Sequence, residues 1–437
     1  MQKYQPPFPV QQLQLRLERR FPILAKQRPV REVEGMPIPV YEGRPLLGHV
    51  FELMRDPLAL CLDTMRTHGE MVRVPLSIHE IVFVTHPEAY ERAFIRNMHA
   101  YKRGFSHKIL RKIIGLGMLT AEHEEWLPTR QAAAPRLTTR SREDMLPIIH
   151  DHMDHWEQRW DRYARSGETR ELVFDFMCLT SQIAFDVLYG YRMRDVEGEQ
   201  FTRDFVDIQD DLFKRLRLPL IPPRPASILA LRRIEALAER LRVSPHAGEL
   251  AAQAMTMIAT VPENPSNALG WAIYELARQP QHLERIRAEL TEGESSRHIQ
   301  NVIHEILRLY PGGWIYERIA DEDDVVAGYH VPEGSCLVFS PFATHRNAKY
   351  WPEPDRFMPE RFDGDVMREL TPFTFVPFSV GPRRCVGDRY TTHIVTEILT
   401  RFTKRYNIVL DPAEKGEMWP MFTLRSRTGI LAKLERV

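Results

Sequence analysis

Residues 377–402, PFSVGPRRCVGDRYTTHIVTEILTRF, place Cys385 in a glycine-flanked loop directly ahead of an apolar stripe. Ile394, Val395, Ile398, Leu399 and Phe402 recur three and four apart, so the stripe predicts a helix that begins just after the cysteine. A thiol at that place feels the positive end of the helix dipole. Arg383 and Arg384 add positive charge, so the thiolate is favoured. Gly381 and Gly387 let backbone approach something flat or bulky. Loop and helix alone leave three roles open: a buried structural thiol, a catalytic nucleophile, or a thiolate that holds a metal.

Two further segments could carry chemistry. In HEILRLYP, Glu305 and Arg308 stand three apart and share one helix face. In TVPENPSNALG, apolar stripes on both sides predict helix, yet Pro262 and Pro265 sit between them. A helix interior tolerates each proline only at a cost of roughly 3 kcal/mol. Either one long helix kinks there, or it ends near Thr260 and a new one starts with Asn264 as cap and Pro265 in its first position.

The elements that position these residues are mainly helical. MVRVPLSIHEIVFVTHP predicts two short strands, 71–74 and 81–84, and a helix follows over 88–95. MLPIIHDHMDHWEQRWDRYA and LRRIEALAERLRV carry apolar residues at helical spacing, and helices dominate 140–310. LPLIPPRPAS (218–227) must be a loop. Short strands return at 336–340 and 429–437. The expected fold class is mainly α with a small β region. No linker, repeat or low-complexity tract divides the chain, so a single domain over 1–437 is expected.

Composition excludes several classes. With 59 basic and 59 acidic residues there is no basic excess to recruit nucleic acid. Four scattered cysteines without a C-x-x-C pair fit a reducing, cytoplasmic setting. The proline-rich, polar start MQKYQPPFPVQQLQLRLERRFPIL is unlike a signal peptide or membrane anchor. No uninterrupted apolar run of about 18 residues occurs, so no membrane partner is expected.

FSVGPRRCVG fits F-x-x-G-x-R-x-C-x-G, and on that match the chain resembles the cytochrome P-450 family of haem-thiolate enzymes. Three more segments stand in the family's order: Glu305 and Arg308 as its E-x-x-R, YWPEPDRFMPERF with Arg361 as its P-E-R-F, and HEEWLPTRQAAAPRL with Trp126 and Arg130 as its W-x-x-x-R. The resemblance covers about residues 40–437. YHVPEGSCLVFSPFATHRNAKYWPEPDRF is nearest to fatty-acid-hydroxylase-like members.

The resemblance implies the cytochrome P-450 fold and a haem b cofactor, with Cys385 as the ligand of its iron. Glu305, Arg308 and Arg361 match the family's buried structural cluster and are not catalytic. Haem propionates need cationic or polar partners, and by family position these are Trp126, Arg130, Arg318 and Arg383, with Lys108 as a further one. Phe378 is placed to pack against the thiolate side. Arg130, Arg136, Arg140, Arg142, Arg384 and Arg389 lie on the two segments where the family docks electron donors, so a ferredoxin or flavodoxin is the implied partner.

In that family a long helix crosses the opposite haem face, with a small residue, an acid and a threonine at its kink. Alignment on NALGWAIYELAR puts the acid at Glu263, Asn264 in place of the threonine, and Val261 at the small position. Both prolines then fall in the kink. A threonine hydroxyl can relay a proton, whereas an amide is a poor relay. The implied function is oxidation of a small or medium hydrophobic molecule, in bacterial specialised metabolism, by a monomer served by a separate reductase. Pocket positions carried over with the resemblance are Phe105, Leu116, Met118, Thr260, Gly313, Trp314, Met421 and Phe422. Two other readings stay open: a peroxide-driven or redox-neutral haem enzyme, and a non-catalytic haem sensor.

Overall fold

A computed structural model describes residues 35–139, 142–217, 221–293, 295–364 and 366–437. Helices predominate and the strands form four small sheets, so the chain is mainly α with a small β region. The chain groups into two compact units. One takes residues up to Lys108 with Trp314–Pro354 and Leu370–Arg384, and the other takes Ile109–Gly313, Asp355–Glu369 and Cys385–Val437.

The first unit is built on a five-stranded sheet. The expected hairpin extends past its predicted ends to Met71–Leu76 and His79–Val84, paired antiparallel with Val72 opposite Phe83. Ser77, at φ 57°, turns the chain between them. Cys336–Phe339 joins in parallel, then Tyr316–Ala320 and Tyr101–Arg103 complete the order antiparallel. Met71, Val82, Val84, Leu337 and Phe339 face a core that also takes Tyr90 and Phe94. The helix expected over 88–95 instead runs Pro87–Glu91 and widens into a π-turn at Arg92–Arg96. Buried Asp324 anchors this turn. Arg92 grips it through Nε and Nη2 (3.1 and 2.7 Å), and Asn97 and the Tyr101 hydroxyl add bonds of 3.2 and 2.7 Å. A charge-assisted fork of this kind is among the stronger side-chain bonds.

The second unit holds the long helices. Arg142–Ser166, Leu172–Tyr189, Asp195–Arg217 and Pro225–Arg242 appear where apolar periodicity places them. Part of the proline loop, residues 218–220, lies outside the described residues. Leu172–Tyr189 is apolar on nearly every side because it is a core helix, packed against the Glu263–Arg278 and Arg142–Ser166 helices. Among the described residues it is the one helix long and apolar enough to cross a membrane, and 83% of it is buried within the protein. Trp160 makes edge contacts with Phe176, Phe402 and Tyr406, joining three elements around one aromatic centre.

Glu171 caps the Leu172–Tyr189 helix, accepting from the Phe174 amide at 2.8 Å. Gly429, at φ +77°, presses so close that a β-carbon there would lie 1.8 Å from the Glu171 carboxylate. Burial pushes this carboxyl from 4.5 up to about 8. Between those values the unfolded chain has released the proton and the folded chain keeps it, so stability must fall as pH rises through that window. The slope is at most about 1.4 kcal/mol per pH unit. Glu171→Gln keeps an acceptor for Phe174 and should flatten the slope. Thermal midpoints of both proteins across the window test this, and parallel profiles would contradict it.

Candidate active site

Cys385 lies three residues ahead of the Asp388–Arg405 helix, whose N-cap is Gly387. Cys61, Cys178 and Cys336 are buried, whereas Cys385 is exposed. Burial pushes the Cys61 and Cys178 thiols up to about 12, and the Cys336 thiol higher still. Those three are inert core thiols, and the structural role is removed for Cys385. Gly387 adjoins the sulfur, and a β-carbon there would stand in ordinary contact with Sγ at 3.9 Å.

The preceding segment belongs to the first unit. Gly381 adopts φ +74°, and a β-carbon on it would sit 2.2 Å from the Phe94 carbonyl oxygen, so no other residue fits. Arg384 closes the turn by donating its amide to the Gly381 carbonyl at 3.0 Å. Phe378 and Arg383 are half-buried.

Arg318 and Arg383 both act electrostatically on a residue that sequence reasoning missed, His107. Burial holds this imidazole at about 3, and nearby Arg103, Arg318 and Arg383 push in the same direction. Arg103 and Arg318 are directly opposed in the Tyr101–Arg103 and Tyr316–Ala320 ladder. Like charges in that position repel. Such a set is a ready partner for carboxylates. Arg318 also lies over the Phe94 ring, 4.2 Å from its centre, which fixes the guanidinium. The missed signal was KRGFSHK, where only strand pairing shows that Arg103 faces Arg318. Lys108, by contrast, is exposed.

Trp126 and Arg130 share a face of the His123–Ala134 helix, with the guanidinium carbon 5.6 Å from the ring centre. Arg136 donates to the carbonyls of His246 at 2.7 Å and Leu188 at 3.5 Å, so it braces the fold and is not a free docking charge. Arg384 and Arg389 are exposed. Arg140 and the side chain of Arg142 lie outside the described residues. Of the expected pocket residues, Trp314 and Met421 are buried while Phe105 and Leu116 are exposed.

The first helix ends at Thr260, where the second sequence reading placed it, but the next one starts earlier than that reading had it. One helix ends at Thr260, Val261 and Pro262 form the joint, and Glu263–Arg278 follows with Pro262 in the cap position. Asn264 is therefore inside the first turn and not the cap, and Pro265 is not its first residue. The joint keeps helical dihedrals, since Pro262 adopts φ −75° and ψ −36°. The prolines suit it because early helix amides lack partners anyway. Thr180 takes up the Pro262 carbonyl at 2.9 Å.

Glu263 and Asn264 diverge. Glu263 is buried, accepts from Gln209 Nε2 at 2.8 Å and lies 3.9 Å from Arg425 Nη1. Burial raises its carboxyl above the ordinary range, opposed by Arg425. It borders a cavity of about 150 Å³ that also meets Glu171, Phe205, Asn267 and Arg425. Asn264 donates to the Thr260 carbonyl at 3.5 Å, while its buried Oδ1 has no hydrogen-bond partner. A β-carbon on Gly312 would lie 2.1 Å from that oxygen, so Gly312 makes room for the amide.

Behind these residues, Glu305 and Arg308 are wholly buried. Arg308 donates to both Glu305 oxygens at 2.6 and 2.8 Å, and Arg361 Nε reaches Oε1 at 3.2 Å. The Met358 amide adds a bond of 2.8 Å.

Within the second unit, an exposed thiol at a helix start suits a haem iron. Within the first, a cationic set suits carboxylates such as haem propionates. The cytochrome P-450 family model matches residues 38–247 and 226–432. The chain belongs to the cytochrome P-450 family and is an oxidoreductase of monooxygenase type. It is similar to cyclooctat-9-en-7-ol 5-monooxygenase of Streptomyces melanosporofaciens, 24% identical over 83% of this chain and 88% of that protein. Cyclooctatin synthase from the same organism is 23% identical over 87% and 92%. Pentalenene oxygenase of Streptomyces avermitilis is 22% identical over 84% and 90%.

Proposed function

We propose that this chain, as one haem b domain over 1–437, oxidises a small or medium hydrophobic molecule of terpenoid type. The reading places it in bacterial specialised metabolism, as a cytoplasmic monomer that receives electrons from a ferredoxin or flavodoxin. The observation that carries it is Cys385, the one exposed cysteine, at the start of the Asp388–Arg405 helix within F-x-x-G-x-R-x-C-x-G. When bound, haem supplies oxidative chemistry on dioxygen, and thiolate ligation favours it.

The chain's own residues then divide the work. Cys385 would hold the iron through Sγ, and Phe378 is the residue that the family resemblance assigns to the thiolate side. By the family resemblance, Arg318 and Arg383, with Arg103 and His107 near them, would hold haem carboxylate; Trp126 and Arg130 are assigned the same role, and exposed Lys108 is the weakest of these candidates. Glu263 stores a proton at its carboxyl, since burial keeps the acid form present at higher pH. The adjoining cavity, with Glu171 and Arg425 on its wall, could admit water to this carboxyl. Asn264 offers its Oδ1 as an acceptor that the protein leaves unused.

Terpene hydrocarbons and alcohols, titrated against the purified haem protein, should shift its absorption band by displacing water. An added ferredoxin and its reductase should then yield oxygenated product. Turnover without any reductase would instead support the redox-neutral or peroxide-driven reading, which Asn264 in place of a hydroxyl favours.

A further inference from the structure

The second unit also brings two histidines and a carboxylate to one point. His282 lies in the Pro280–Glu292 helix, His298 opens the Arg297–Leu309 helix, and Glu360 lies in the Pro359–Phe362 turn. His282 Nδ1 stands 3.1 Å from His298 Nε2 and 3.4 Å from Glu360 Oε1, and all three atoms fall within 4.8 Å of one another. Both imidazoles are buried, while Glu360 is exposed.

We propose that His282, His298 and Glu360 form a zinc site that clamps these three elements together. Two ligands on a tetrahedral zinc at about 2.0–2.1 Å are separated by about 3.3 Å, and the observed distances of 3.1 and 3.4 Å bracket that value. Hydrogen bonding alone serves the cluster poorly. If His282 Nδ1 carries the proton it faces two acceptors at once, and if His298 Nε2 carries it the Glu360 oxygen is left facing the His282 lone pair. A divalent cation satisfies all three donors together. Two imidazoles and one carboxylate suit zinc better than calcium or magnesium.

The surroundings hold the ligands in place. The His282 ring packs edge-on against Phe357, with centres 5.5 Å apart. Glu289 accepts from the His298 amide at 2.9 Å and from Ser296 at 2.7 Å, which fixes the start of that helix. Arg285 is the competing cation, 3.6 Å from Glu360 Oε1, but it also has Glu289 and Asp363 at 3.3 and 3.4 Å. Exposure of Glu360 gives the ion a way in and leaves a place for water as fourth ligand. Glu360 directly precedes Arg361, so the clamp would steady the segment that feeds the Glu305 cluster.

The test uses the full haem-loaded chain, stripped with a chelator and then equilibrated with zinc chloride. Zinc is measured by elemental analysis after dialysis, and affinity by competition with a chromophoric chelator. About one tightly held zinc per chain is expected. Glu360→Gln, at an exposed position that should not disturb folding, and His298→Asn should each weaken it ten- to a hundred-fold. Zinc should raise the thermal midpoint of the unaltered chain and not that of Glu360→Gln. Absence of stoichiometric zinc would overturn the proposal, as would equal retention by the unaltered chain and Glu360→Gln, which would place the ion elsewhere among the 17 histidines.

Discussion

Glu305→Ala should yield chain that is insoluble or that carries no haem. The carboxylate is wholly buried and answers two guanidiniums and one backbone amide. Its removal takes two charge-assisted bonds from Arg308, whose side chain has no exposed surface. Breaking a buried pair from one side costs about 3–5 kcal/mol. A folded protein has roughly 5–15 kcal/mol in hand, so much of the margin disappears. The Met358 amide loses its acceptor as well, and that loosens the turn carrying Arg361. Haem content and solubility of the variant, beside Glu305→Gln as a milder change, measure the effect. A soluble Glu305→Ala chain with full haem would show that the cluster does not brace the fold.

Glu263→Gln and Asn264→Thr should both lower turnover, for different reasons. Glu263→Gln keeps shape and the possibility of a bond to Gln209, but has no ionisable proton to pass on. The unaltered enzyme should lose activity as pH rises through the elevated Glu263 value, because the acid form is the donor. The Gln variant should be slow and lack that limb. Asn264→Thr removes the Oδ1 acceptor that Gly312 makes room for. Loss of a polar partner in a dry site costs about 1–3 kcal/mol, or roughly 5- to 150-fold in rate. Product formed per reducing equivalent, followed against pH, separates the two. A faster, better-coupled Asn264→Thr with unchanged product would mean that the amide is merely a poor substitute for a hydroxyl.

Elements with strong local signals were legible in the sequence. The 71–84 hairpin and the helix after Cys385 announce themselves by apolar spacing, and Glu305 and Arg308 by their interval on one helix. What stayed hidden depends on partners distant in sequence. The π-turn at Arg92–Arg96 is anchored by Asp324, which no local pattern reveals. His107 and Arg103 gain meaning only when a strand from residue 316 onward sets Arg318 opposite Arg103. The two prolines did mark the helix break, but two positions matter there. Pro262 takes the cap and Pro265 follows inside the first turn, because both places leave amides unpaired anyway. The divergence of Glu263 from Asn264 is a three-dimensional fact, set by Gln209, Arg425 and Gly312.

Ligation of the iron by the Cys385 thiolate can be read from the absorption spectrum of the reduced, carbon-monoxide-treated protein. The unaltered chain should show the red-shifted band that thiolate ligation gives. Cys385→His should abolish that band even where haem is retained, since imidazole is a weaker donor. Haem-free purified protein, or a Cys385→His variant that keeps the band, would contradict the account.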